Sequence, residues 1–183
     1  MTRIAALNPA NAPAQSQPLL AAVKSKLGMV PNLFKTFAHS PAVLQFYLSG
    51  SEALAGTSIS AALREQIALT TAGENECNYC ASAHTLMAKG AGVAAPETAA
   101  NLRGQSADTK TQAALTFAKV IVAERGRVSD SDLAQVRAAG YSEAEITEIV
   151  ATVSANIFTN YFNHVADTAV DFPLVNATAL ETA

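Results

Sequence analysis

The segment from Ser142 to Ala166, SEAEITEIVATVSANIFTNYFNHVA, constrains the fold more than any other part of the chain. Its apolar residues recur at intervals of three and four, the spacing that places side chains along one side of an α-helix. The members of this stripe are Ile146, Ile149, Val150, Val153, Ile157 and Tyr161. Serine at position 142 is a favoured residue just before a helix. The pattern predicts one long helix, from about Glu143 to Ala166, that is buried along one side.

The rest of the chain repeats this kind of signal in shorter segments. Several of them begin at serine or proline and end at glycine, as helices commonly do. No segment alternates apolar and polar residues with the period of two that is typical of a half-buried strand. We therefore predict an all-α helical bundle of about eight or nine helices. The predicted organisation is an N-terminal arm at 1–18, a single helical domain at 19–173 and a tail at 174–183.

The amino-acid composition limits the classes of partner that such a bundle is expected to bind. Half of the residues are apolar and 15% are charged, whereas soluble domains average about 25% charged residues. We therefore expect part of the surface to be buried against further copies of the chain. A net charge of −3 without a lysine and arginine cluster argues against nucleic acid, and no basic amphipathic stretch or long apolar run predicts a membrane partner. The N-terminal residues lack the apolar centre of a signal peptide, so we expect a cytoplasmic location.

The two cysteines of the chain lie together in ENECNYCASAHTLMAKG, residues 74–90. Cys77 and Cys80 have C-x-x-C spacing, which puts both sulfurs on one side of a helix and near enough to form a disulfide. With Asn75 as the expected N-cap, both cysteines fall in the first turns of a helix, where free N–H groups and the helix dipole stabilise a thiolate. His84 follows Cys80 by one helical turn and can take its proton.

From the residues alone, this cluster has three interpretations. A cytoplasmic C-x-x-C pair with an adjacent base fits reversible dithiol chemistry. The same cysteines and His84 also supply three of the four ligands that a zinc site needs. The fourth would be His39, His164 or a carboxylate. A purely structural disulfide is the third interpretation, although it would stabilise the fold little because it closes a very short loop.

Glu65 lies in AALREQIALTTAG, residues 61–73, a segment that is apolar nearly all round and is therefore predicted to be a buried helix. A buried carboxylate needs a partner or a proton. Glu65 is accordingly a candidate for passing protons near neutral pH. The alternatives are an ion pair with Arg64 and a position at an exposed edge.

These residues together resemble a known family. From Glu65 to His84 the chain follows the pattern E-x(11)-C-x-x-C-x(3)-H, which is similar to the active-site signature of the AhpD-like alkylhydroperoxidases, within the carboxymuconolactone decarboxylase family. The run NIFTNYFNHVADTAVDFP, residues 156–173, resembles the peroxidase-related branch of that family. The resemblance extends over about residues 31–173. It implies an all-helical fold that assembles as trimers or hexamers, and a thiol peroxidase without haem, flavin or metal.

The resemblance also implies a role for each residue of the pattern. Cys80 would attack the peroxide and Cys77 would resolve the product as a disulfide. His84 would be the base on Cys80, linked to Glu65 by a proton relay through water. An external dithiol protein, lipoyl-bearing by this parallel or thioredoxin-like otherwise, would reduce the disulfide.

Tyr79, Asn160 and His164 are candidate supporting residues. The characterised alkylhydroperoxidase has a histidine where this chain has Tyr79, and tyrosine can donate a hydrogen bond but cannot exchange protons near pH 7 as histidine does. Asn156, Asn160 and Asn163 recur at helical spacing on the long helix, and His164 follows one turn after Asn160. This polar column predicts the lining of a pocket or a satisfied buried interface. The alternative is an ordinary helix C-terminus, where both residue types are favourable.

The chemistry of a dithiol follows from the oxidation states of sulfur. A thiolate that attacks a hydroperoxide becomes a sulfenic acid and releases an alcohol or water, and a neighbouring thiol then condenses with it to a disulfide. The sequence therefore predicts a homo-oligomeric antioxidant enzyme that reduces hydroperoxides. The alternative is a metal- or redox-responsive binding module that uses Cys77, Cys80 and His84 without peroxide turnover.

Overall fold

The computed structural model describes residues 2–178, which form nine α-helices and no β-strand. The helices are α1 (Gln17–Leu27), α2 (Asn32–Phe37), α3 (Pro41–Ala55), α4 (Ala61–Glu74), α5 (Asn78–Gly90), α6 (Ala95–Asn101), α7 (Thr109–Ala123), α8 (Asp130–Ala138) and α9 (Glu143–Ala166). The prediction of an all-α fold is confirmed. Residue 1 of the predicted arm and residues 179–183 of the predicted tail lie outside the described residues. Across positions 2–178, no helix combines the length and apolarity that crossing a membrane requires.

The bounds of α9 agree with the prediction. The side chain of Ser142 accepts a hydrogen bond from the N–H of Glu145, and the carboxylate of Glu145 accepts one from the N–H of Ser142. This reciprocal pair is a capping box, which satisfies N–H groups that the first turn of a helix otherwise leaves free.

The buried side of α9 differs from the predicted stripe. Ile146, Ile149 and Val153 are buried as expected, whereas Val150 is 39% exposed and Tyr161 is 55% exposed. From Thr152 onward the buried side of the helix is mostly polar: Thr152, Asn156, Thr159, Asn160 and Asn163. One line along the helix thus remains buried, but its residue type changes from apolar to polar. The predicted stripe is therefore wrong at Val150 and Tyr161, because helical spacing of apolar residues does not show which of them a neighbouring helix covers.

The centre of the bundle is α4. Every residue from 66 to 72 is buried, and the helix packs against α5, α6, α7 and α9. Gly73 allows one of these approaches, since a Cβ atom there would overlap the carbonyl oxygen of Leu102 at the end of α6. The central position of α4 places Glu65 beside α5, the helix that carries the cysteines.

The apolar core has two main clusters. One joins α4, α7, α8 and α9 and includes Ile67, Leu115 and Ile149. The other joins α1, α2 and α3 to the start of α5 and contains both cysteines. The dithiol therefore lies within a core cluster and not on the surface.

Residues 168–178, here named the C-terminal segment, run from the end of α9 back over the first turns of α5. The N–H of Val175 donates to Oγ of Ser82 at 2.9 Å, and the N–H of Ala177 donates to Oδ1 of Asn78 at 2.8 Å. The segment belongs to the same core cluster as the cysteines. It therefore helps to bury them.

Candidate functional site

A tight turn between α4 and α5 places Cys77 at the N-cap of α5. Glu76 adopts a left-handed conformation with φ of 55°, and its N–H donates to the carbonyl of Gly73 at 3.1 Å. The N–H of Cys77 donates to the carbonyl of Ala72 at 2.9 Å. These two bonds form a Schellman motif at the end of α4. The predicted N-cap was wrong: Asn75 is the C-cap of α4, because the reversal needs one left-handed residue before α5 can begin.

Cys77 is the more acidic of the two thiols. Its pKa falls from 9.0 to about 7, chiefly because the Cys80 thiol donates a hydrogen bond to the Cys77 thiolate, while burial acts in the opposite direction. The N–H groups of Tyr79 and Cys80 face the sulfur, without regular capping geometry, and His84 adds a favourable charge. Both cysteines are free thiols, 1% and 3% exposed.

Cys80 holds its proton more tightly and is surrounded by polar groups of α9. The hydrogen bond to the Cys77 thiolate, followed by burial, raises the pKa of Cys80 well above 9.0. Asn163 donates from Nδ2 to the Cys80 sulfur at 3.2 Å, and the thiol lies 3.9 Å from Oγ1 of Thr159. The amide of Asn160 also lies close enough to lower the pKa of Cys80. The pair of thiols therefore loses its first proton readily and holds the second one tightly.

His84 and Glu65 form a direct pair. Nδ1 of His84 lies 2.7 Å from Oε2 of Glu65, and each side chain is 16% exposed. This contact corrects the expectation of an intervening water. Arg64, the alternative partner of Glu65, donates instead to the carbonyl of Ile59. The charge of His84 acts on Cys77, although the helical spacing had indicated Cys80.

Tyr79 ties the C-x-x-C turn to α2 and to the C-terminal segment. Its hydroxyl donates to Oδ1 of Asp171 at 3.0 Å and accepts from the N–H of Leu33 at 3.1 Å. The second oxygen of Asp171 accepts from the N–H of Asn32 at 2.8 Å. Burial, together with the charge of Asp171, raises the pKa of Tyr79 above its usual value. The hydroxyl therefore acts here as a hydrogen-bonding group and keeps its proton.

The structure does not bring every candidate to the dithiol. Asn160 is fully buried near Cys80, and its Oδ1 accepts from Nδ2 of Asn75 at 2.9 Å. His164 is exposed at the end of α9, where its carbonyl accepts from Arg3. His39 contacts the carbonyl of Ala5 through Nε2. In the described part of the chain, no three histidine, cysteine or acidic side chains are arranged to bind a metal ion.

Sequence reasoning missed Asp171 and the contact between Asn163 and Cys80. Asn163 belongs to the polar column on α9, so its residue type was a usable signal. Asp171 lies 92 residues from Tyr79, and no local spacing indicates that pairing. Two surface clefts, one between α7 and α8 and one beside Tyr141, contain none of these residues, so chemistry and not shape identifies the site.

The part of the chain that carries Glu65, Cys77, Cys80 and His84 resembles a known family. Residues 41–124 match the carboxymuconolactone decarboxylase family. The sequence has no significant match among curated proteins.

Several solved structures share the fold. A peroxidase-related protein with an alkylhydroperoxidase AhpD core, from Ralstonia eutropha JMP134, superposes with a TM-score of 0.83 at 23% identity, covering 93% of this chain and 92% of the other. A peroxidase-related protein from Silicibacter sp. TM1040 gives 0.80 at 22% identity and covers 91% of each chain. The debrominase Bmp8 gives 0.79 at 23% identity and covers 93% of each chain. Residues 41–124 are therefore similar to the carboxymuconolactone decarboxylase family, and the chain has an AhpD-like fold.

Proposed function

We propose that this protein is a thiol-dependent peroxidase that reduces hydroperoxides through a disulfide cycle of Cys77 and Cys80. One arrangement carries the proposal: two free, buried thiols lie together at the start of α5, where the hydrogen bond from Cys80 lowers the pKa of Cys77 to about 7. The thiolate is the form of cysteine that attacks a peroxide. A second thiol in contact with the first converts the resulting sulfenic acid into a disulfide.

The cycle balances with the groups at the site. The first thiol proton passes to His84, which Glu65 holds in place. The Cys80 thiolate attacks the terminal oxygen of R–O–OH, so that an S–O bond forms and the O–O bond breaks. The leaving alkoxide takes the proton of the Cys77 thiol and departs as the alcohol. The Cys77 thiolate then attacks the sulfenic sulfur, and the released hydroxide takes the proton of His84 to form water.

The lower pKa of Cys77 is compatible with attack by Cys80. A proton can move between the two sulfurs along their hydrogen bond, so either sulfur can carry the charge at the moment of reaction. Among thiolates, intrinsic nucleophilicity rises with pKa. The sulfur that is less often charged is therefore the stronger nucleophile.

The proposed partners follow from this cycle and from the surface. An external dithiol, carried by a lipoyl-bearing or thioredoxin-like protein, reduces the disulfide by exchange. A homotrimer or homohexamer would cover apolar side chains that α3 and α9 expose, among them Phe46 at 66% and Val165 at 61%. The cycle uses no haem, flavin or metal.

The test is hydroperoxide consumption by the fully reduced, metal-free protein with dithiothreitol as electron donor. We expect wild type to turn over, Cys80→Ser to be inactive, and Cys77→Ser to stop as a sulfenic acid on Cys80 that dimedone traps. His84→Ala is expected to slow turnover by about 100-fold, and His39→Ala serves as the matched control that leaves it unchanged. A wild-type protein that forms no disulfide under excess hydroperoxide would exclude the peroxidase.

The likeness to Bmp8 favours a second candidate function at the same dithiol. Reductive debromination also needs two electrons: the C–Br bond breaks, bromide leaves, the carbon takes one thiol proton, the other thiol proton passes to His84 and on to solvent, and the cysteines form a disulfide. Bromide release from 2,3,4-tribromopyrrole, a molecule with which Bmp8 has been crystallised, is the discriminating measurement. Metal content of the purified protein tests the remaining alternative, a metal-binding module.

A further inference from the structure

Two buried amide atoms beside Cys80 lack hydrogen-bond partners. Asn160 is fully buried, and while its Oδ1 accepts from Asn75, its Nδ2 lies near the Cys80 sulfur but makes no hydrogen bond of regular geometry with residues 2–178. Asn163 is 4% exposed, and while its Nδ2 donates to the Cys80 sulfur, its Oδ1 accepts from none of these residues. One orphaned atom is a donor and the other is an acceptor. Buried polar groups are nearly always satisfied, so this pair indicates a missing group with both capacities.

The third member of the polar column shows that the orphaned atoms are not a general feature of α9. Asn156 is also buried, at 8% exposed, but its Nδ2 donates to the carbonyl of Thr152 one turn earlier in the helix. A buried asparagine on this helix can therefore be satisfied locally. The two asparagines that are not satisfied are the two that adjoin the sulfur.

A hydroxyl group has the required combination, because its hydrogen donates and its oxygen accepts. A thiolate can only accept, so it leaves Oδ1 of Asn163 without a partner. The terminal O–H of a hydroperoxide and the O–H of a cysteine sulfenic acid both present such a group next to sulfur. Both therefore match the orphaned pair.

We propose that Asn160 and Asn163 form a hydroxyl-binding site that holds the transferred oxygen of a hydroperoxide against the Cys80 sulfur. The inference rests on the proposed peroxidase function and assigns the attack to Cys80. Nδ2 of Asn160 donates to the transferred oxygen, and Oδ1 of Asn163 accepts its hydrogen. When the S–O bond forms and the O–O bond breaks, that hydrogen stays on the transferred oxygen, and the leaving oxygen takes the proton of Cys77.

The experiment uses the Cys77→Ser protein, in which Cys80 is the remaining thiol and its sulfenic acid persists. Two rate constants are measured at Cys80 by mass spectrometry: oxidation by hydrogen peroxide, trapped with dimedone, and alkylation by iodoacetamide, which carries no hydroxyl group. Their ratio cancels changes in thiol acidity and accessibility that affect both reagents. We expect the ratio to fall about 10- to 100-fold in Asn160→Ala and Asn163→Ala and to stay unchanged in Asn156→Ala.

A second variant protects the test against misfolding. Asn163→Ser keeps one donor and one acceptor on a shorter side chain, so its ratio should lie between those of the parent and Asn163→Ala. Equal ratios in the parent and in folded variants at both positions would overturn the oxygen site and leave the peroxidase standing. A wild-type protein that iodoacetamide alkylates but that forms no Cys77–Cys80 disulfide under excess hydrogen peroxide would instead overturn the peroxidase itself.

Discussion

The two halves of α9 are buried along the same side of the helix for different reasons. In the first half, Ile146, Ile149 and Val153 fill a cluster shared with α4, α7 and α8. In the second half, Asn160 and Asn163 occupy the equivalent positions and face the sulfur of Cys80. The same side of α9 thus packs into the apolar core at the start of the helix and lines the candidate dithiol site near its end.

Burying an apolar side chain and burying an amide have different requirements. Removing an apolar side chain from water is favourable whatever it meets, so the first half needs no particular partner. Removing an amide from water is costly unless a partner replaces the water. The second half is therefore informative. Its asparagines are buried against the Cys80 sulfur, and their unsatisfied amide atoms indicate a group that binds there.

The largest effect should follow from breaking the apolar half. Ile149→Ala removes a fully buried side chain, and we expect the free energy of unfolding to fall by about 2–5 kcal/mol. The neighbouring Val150→Ala, at a position 39% exposed, is the matched control and should cost about 0.5 kcal/mol or less. Urea denaturation measures both. A change in the pKa of Cys77 in folded Ile149→Ala would show that packing in the first half of α9 affects the dithiol.

The polar side is tested by the pH dependence of alkylation at Cys77. Because the folded pKa lies near 7 and not at 9.0, both thiols are protonated below about pH 7 and a thiolate accumulates above it, so the iodoacetamide rate should rise through a midpoint near 7. Cys80→Ala removes the main cause of the shift and should raise the midpoint. His84→Ala removes a lesser cause and should raise it less. A wild-type midpoint near 9 would contradict the description of the pair.

The smallest effect is expected from the hydrogen bonds that join Tyr79, within the C-x-x-C turn, to Asp171 and Leu33. Tyr79→Phe removes the hydroxyl that joins Asp171 to the N–H of Leu33, and leaving these groups unpaired should cost about 1–3 kcal/mol of the free energy of unfolding. Tyr161→Phe, at a side chain 55% exposed, is the matched control and should have no effect. If the two variants unfold at the same urea concentration, the hydroxyl of Tyr79 contributes nothing to the stability of the fold.

The sequence predicted those features that local pattern determines. The helix at 143–166 was recognisable because a capping serine and a helical stripe coincide there. The polar residues of its buried side are recognisable as a column, but their role stays open in the sequence because residue spacing says nothing about a sulfur 83 residues away. The N-cap of α5 was misassigned because asparagine suits that position by type, whereas the left-handed turn at Glu76 decides it. The family resemblance supplied the pairing of His84 with Glu65, which spacing alone does not indicate.

The C-terminal segment also bears on how the protein is made. Val175 and Ala177 are synthesised 93 and 99 residues after their partners Ser82 and Asn78. At about 5–20 residues per second, translation leaves both cysteines without this cover for about 5–20 s. The cysteines are therefore fully buried only once the chain is complete. We expect their thiols to be oxidised more easily in nascent chains than in the folded protein.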